Sequence, residues 1–132
     1  MNLPTKRWTQ LALLYFLAAV TLGVAMAATH DHRLRGLHVH LNLLGWVSMA
    51  VTGWVYHLFP RAAATLAARV HFWLYQLALP PMMLGLAGLL LGHADFEPLV
   101  AAGSLAVLVA VALFVVNVLR HPDTAPPALR TA

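Results

Sequence analysis

Four apolar runs, at about residues 8–29, 37–59, 66–91 and 98–119, take up most of this chain. Each has the roughly 20 residues that a helix needs to cross the hydrocarbon core of a bilayer. Hydrocarbon offers the backbone no hydrogen bonds, so a run of this kind must satisfy its own amides, and a helix does so within the segment. The runs therefore predict an all-α integral membrane four-helix bundle. Composition agrees: 61% of the 132 residues are hydrophobic, 9% are charged and the mean hydropathy is +0.78. A soluble domain of this length has too little interior to hide that much apolar surface. A single domain over residues 1–120 is expected. It is followed by a Pro-rich polar tail, "HPDTAPPALRTA" at 121–132, expected to be disordered.

Charge orients the bundle. With the N-terminus inside, one side holds Lys6, Arg7, Arg61, Arg69, Arg120 and Arg130, and the other only Arg33 and Arg35. Positive residues accumulate on the cytoplasmic side, so both termini are expected there, in a multi-pass protein of a bacterial-type cytoplasmic (inner) membrane. The net charge of +4 is spread over short loops and ends, a pattern that reports orientation rather than nucleic-acid binding. The first run carries "AMA" at 25–27, a pattern shared with signal-peptide cleavage sites, but its apolar length suits an uncleaved helix. Pro80 and Pro81 remove backbone donors from the third run and are expected to kink it.

There is no cysteine, so disulfides, thiolate zinc sites, iron–sulfur clusters and covalent haem attachment are excluded. Eight histidines against four acids is the unusual proportion. His30, His32, His38 and His40 lie at the outer end of the second run, and His93, Asp95 and Glu97 in the other outer loop. His57 and His71 form an expected inner pair, and for these a solvated helix end is preferred over proton entry. Trp46, Trp54 and Trp73 are expected to face lipid or pack, and Met49, Met82 and Met83 to fill the bundle. On a helix, residues i and i+2 point about 200° apart, so His38 and His40 cannot readily chelate one ion together. Each faces a different neighbour. Ionisable residues in an apolar helix read as functional by default, and imidazole ligates haem iron, copper and zinc alike. Spacing alone leaves haem, copper and a proton path open.

The second run, with "HVH" at 38–40 and "HLFP" at 57–60, resembles the tenth transmembrane helix of subunit I of the haem–copper oxidases. That superfamily includes bacterial nitric oxide reductase. The family's upstream His-Asp pair has a counterpart in His30-Asp31, eight residues before His38, and "PPMMLGLAG" from Pro80 to Gly88 is similar to part of helix eleven. The resemblance covers roughly residues 30–90 and aligns the four runs with helices nine to twelve. It implies that His38 and His40 are axial ligands of two different b-type haems, and that His30 and Asp31 lie near haem propionates and a non-redox metal. Arg33 and Arg35 would pair with propionates, unless they are ordinary loop charges. The family's His-His copper ligands and His-Tyr pattern are absent from the sequence, so a complete oxygen-reducing centre is not expected.

Subunit I is three arcs of four helices. A chain resembling one arc is expected to close as a twelve-helix homotrimer, with His40 of one copy facing His38 of the next. The leading expectation is a small haem protein for electron transfer or for binding a diatomic gas such as NO or O2. The first alternative is copper or zinc binding or delivery through His30, Asp31, His32, His38, His40 and His93. The second is a non-metal accessory subunit. A redox or oxidase-assembly partner would accompany the first or the last.

Overall fold

The structure is a computed structural model and describes residues 3–122. All of the expected polar tail except its first two residues lies outside the described residues. In chain order the elements are α1 (Leu3–Thr29), α2 (Arg35–His40), a π-helical stretch (Leu41–Ser48), α3 (Met49–Leu58), α4 (Pro60–Ala63), α5 (Leu66–Leu90), a 3₁₀ turn (Ala94–Phe96) and α6 (Glu97–Arg120). No strand occurs among the described residues. Three segments are long and apolar enough to cross a membrane: Thr5–Thr29, Leu66–Leu90 and Ala94–Arg120. The second apolar run is helical from Arg35 to Leu58, but its middle third is wound as π helix.

Local chemistry sets the boundaries. α1 ends at Thr29, followed by His30 in the left-handed region (φ 55°), a conformation that histidine adopts more readily than most side chains. Thr65 caps the start of α5, its hydroxyl accepting the Ala68 amide at 3.0 Å. The helix ends in a Schellman turn. Gly92 (φ 97°) donates to the Leu89 carbonyl and His93 to the Gly88 carbonyl, both at 3.0 Å. Pro80 and Pro81 sit inside α5 without ending it. Departure from α winding occurs instead in the second run, which has no internal proline.

The helices approach through small residues, as apolar bundles do where packing rather than water drives association. A Cβ placed on Gly103 of α6 would lie 2.6 Å from Met82 Cβ of α5. One on Gly45 would lie 2.5 Å from the ring of Tyr15, and one on Gly53 3.1 Å from Trp8 Cβ, so α1 is in equally close contact with the second run. Between these two pairs the interior is filled by large rings. Trp8 meets His71, Phe72 and Tyr75 at centroid distances of 4.8, 5.2 and 5.4 Å, and Phe114 of α6 closes on Tyr56 at 5.3 Å. Met49, Met82 and Met83 are buried, as their positions suggested. Trp54 and Trp73 face outward, while Trp46 stacks on Phe16 at 4.6 Å. The outer surface is apolar: Leu77, Leu84 and Leu119 are 68, 70 and 74% exposed.

Where α4 joins α5, Asn117 of α6 donates to the Ala62 carbonyl and accepts from the Thr65 hydroxyl, both at 2.9 Å. This clamp ties the α4–α5 connection to α6. The expected inner pair of histidines does not form. His57 is exposed on α3, whereas His71 is 1% exposed and hydrogen-bonded to the Tyr56 hydroxyl through Nδ1 at 3.0 Å. His71 is therefore a core residue and not a solvated helix end. Position in the sequence could not separate the two, because the exposed and buried faces of α3 and α5 are both apolar.

Candidate functional site

The N-terminal end of the second run presents two imidazoles that are held in the same manner. His38 Nδ1 lies 2.9 Å from the Ala19 carbonyl of α1, and His40 Nδ1 lies 2.8 Å from the Gly36 carbonyl one turn back on α2. A carbonyl can only accept, so each Nδ1 carries a proton, and in the neutral ring Nε2 keeps its lone pair. This is the tautomer that a metal-ligating histidine adopts when its second nitrogen is oriented by the backbone. Both rings are half-buried.

Their surroundings differ, as their spacing required. His38 turns to α1, where Gly23 leaves room for it: a Cβ on Gly23 would lie 2.9 Å from its Cε1. Asn42 donates to the His38 carbonyl at 2.9 Å and places the same amide nitrogen 3.4 Å from His38 Nε2. His40 Nε2 has no hydrogen-bond partner among the described residues. His40 thus offers the freer ligating nitrogen.

The π stretch begins directly after His40. Such stretches recur at functional sites, where the wider winding re-aims side chains and carbonyls. Here the Tyr75 hydroxyl of α5 donates to the Leu44 carbonyl at 2.9 Å, and Gly45 accommodates the Tyr15 ring. These contacts brace the winding from both neighbours.

The loop before α2 pairs its own charges. Arg33 grips Asp31 with two side-chain nitrogens, Nε at 3.0 Å and Nη2 at 2.7 Å from Oδ2, and its amide reaches Oδ1 at 3.0 Å. The side-chain hydrogen bonds from Arg33 come first among the causes that hold the Asp31 carboxyl down at about 2. Arg33 is thereby committed to Asp31, whereas the Arg35 guanidinium is exposed and unpaired among the described residues. His30 and His32 are exposed, and His93 is exposed with its ring 6.4 Å from that of Phe96. Among the described residues no three of His, Asp and Glu stand together in a way that could hold a metal ion.

The sequence carried signals for part of this beyond the i, i+2 spacing of the two histidines. Asn42 is the one polar amide in its run and stands four residues after His38, and Gly36 stands four before His40. Both are the helical offset for a neighbour on the same face. No sequence feature marked Ala19 as the acceptor for His38. Comparison of the chain with protein families, characterised proteins and solved structures finds no match.

Proposed function

We propose that this chain is a small multi-pass haem protein of the cytoplasmic membrane, with His40 and His38 as axial ligands. The observation that carries this reading is the shared Nδ1-to-carbonyl bond, which leaves both Nε2 atoms as acceptors at the outer end of one helix. A closed zinc site needs three or four protein ligands, whereas haem iron asks the protein for only one or two. The lack of any three-ligand group within the described residues favours haem over copper or zinc.

Arg35–Leu58, helical throughout, would serve as the fourth span beside the three long apolar helices. The excess of Lys and Arg at the ends of α1, α5 and α6 supports cytoplasmic termini. Divergent histidines on one helix also suit a homotrimer, in which the second run of each chain faces those of two neighbours. When bound, haem would supply one-electron chemistry or bind a diatomic gas. The residues of the chain orient the ligands. The Ala19 and Gly36 carbonyls fix the ring planes, Asn42 stands beside His38 Nε2, and Arg35 is free to pair with a carboxylate.

The test is an oxidised and dithionite-reduced visible spectrum of the detergent-purified protein, from cells supplied with haem precursor. A Soret band with a sharp reduced α band, lost in His40→Ala, is the expected result. Absence of haem bands from the wild type would overturn the reading, and metal analysis would then separate a copper or zinc protein from a non-metal subunit.

A further inference from the structure

A second feature lies at the other end of the molecule. A groove of about 620 Å³ runs between α1 and α5, lined by Arg7, Gln10, Leu11 and Tyr15 on one side and Phe72, Gln76 and Pro80 on the other. Its volume is in the range of small-molecule sites. The two helices run in the same direction here, since Trp8 packs on Phe72 and Tyr75 near one end of the groove, while Tyr15 and Pro80 line the other.

The groove is graded from polar to apolar. At its mouth stands Arg7, exposed, with Lys6 beside it in the sequence. Gln10 lies one turn further along α1, and Leu11, Tyr15 and Pro80 continue into the apolar part. Within the groove wall, the Gln76 side-chain nitrogen is buried and makes no hydrogen bond in the chain. A buried amide without an acceptor costs free energy, so an acceptor reaching this wall would be favoured.

We infer that this groove binds one anionic phospholipid of the cytoplasmic leaflet. The order of chemistries matches that molecule: a phosphate against Arg7, ester carbonyls one turn deeper as acceptors for the Gln10 and Gln76 amides, and an acyl chain along Leu11, Tyr15 and Pro80. Arginine is the side chain best shaped for a phosphate. The inference rests on the membrane-spanning, termini-inside reading proposed for the chain and is independent of haem.

Native mass spectrometry of the delipidated full chain in mild detergent tests it, with phosphatidylglycerol or phosphatidylcholine of identical acyl chains added. Wild type should retain one phosphatidylglycerol per chain under conditions where phosphatidylcholine is lost. Arg7→Gln and Gln76→Leu should each weaken retention about tenfold, the scale of one charge-assisted or one buried hydrogen bond. Arg120→Gln, a cation outside the groove, should retain lipid as wild type does. Gln10→Leu, on the exposed rim, gives an independent reading should Gln76→Leu lose helicity by circular dichroism. Equal retention of the two lipids, or retention unchanged in Arg7→Gln and Gln10→Leu, would overturn the inference. So would variants that alter the number of chains per particle and leave lipid retention unchanged, which would assign the groove to a neighbouring copy. Since no haem signal enters the readout, failure of the haem reading and failure of this one are separable.

Discussion

Replacing Gly103 by Ala tests the close contact between α5 and α6. The new Cβ would sit 2.6 Å from Met82 Cβ, 3.1 Å from its Cα and 3.2 Å from its Cγ. Carbon atoms rest at about 3.5–4.0 Å, so α5 and α6 must part by roughly 1 Å at this crossing. Met82 cannot swing aside, because the atoms met are at the root of its side chain. A gap of that size forfeits a quarter to a half of the dispersion energy of each contact it opens. Overpacking of this kind costs about 1–3 kcal/mol, against a gain of up to about 1 kcal/mol from replacing glycine inside a helix. The net expectation is a loss of about 1–2 kcal/mol. Reversible unfolding in mixed detergent and dodecyl sulfate micelles, monitored by far-ultraviolet circular dichroism, measures it. Gly36→Ala is the internal comparison. Its Cβ would meet only the flexible tip of Leu90 at 3.3 Å, and the change should stay within about 0.5 kcal/mol. A Gly103→Ala protein as stable as wild type would refute the reasoning, since α5 and α6 could not then meet through Met82 at this depth.

The hydrogen bonds set the other expected outcomes. Tyr56→Phe strands His71 Nδ1 in the core and should cost about 1–3 kcal/mol in the same assay; a neutral result would mean that His71 has another partner. Tyr75→Phe keeps the ring against Trp8 and removes only the donor to the Leu44 carbonyl, so about 1 kcal/mol should be lost, and no loss would detach the hydroxyl from the π stretch. The contribution of the Asp31–Arg33 pair should be fully present above the ordinary aspartate value of about 3.9 and vanish only as pH falls through about 2. Carboxyl carbon NMR of Asp31 should therefore show a midpoint at about 2, and a midpoint near 4 would break the pairing.

The apolar runs located the helices to within a few residues, because in a chain this apolar the run and the helix are set by the same requirement. The expected spans at 66–91 and 98–119 became Leu66–Leu90 and Glu97–Arg120. The divergence of His38 and His40 was legible too, since it comes from helical geometry alone and both residues precede the π stretch. The split fates of His57 and His71 were not. Burial in an apolar bundle depends on which face meets a neighbour, and hydropathy does not distinguish an exposed Leu77 from a core Leu79. Nor was the π stretch legible. Its supports, the Tyr75 hydroxyl and the Tyr15 ring, come from helices distant in sequence.

That stretch bears on the candidate site in a way that the two prolines of α5 do not. Hydrogen bonding from i to i+5 winds more residues into each turn than α helix does, so the stretch changes the rotational phase between α2 on one side of it and α3 on the other. α2, with its histidines, and α3, with Tyr56 and Gly53, can then each present a fitting face to α1 and α5. In a uniform α helix, one face would have to serve both ends. His40 lies at the last α turn before the change, with its Nδ1 held by that turn's own Gly36 carbonyl. The ring orientation is thus set by α2 and insulated from the winding beyond it, whereas His38 is held by α1 through Ala19. Two imidazoles a single residue apart are consequently anchored to two different helices, so a shift of α1 against the second run would move His38 and leave His40 in place.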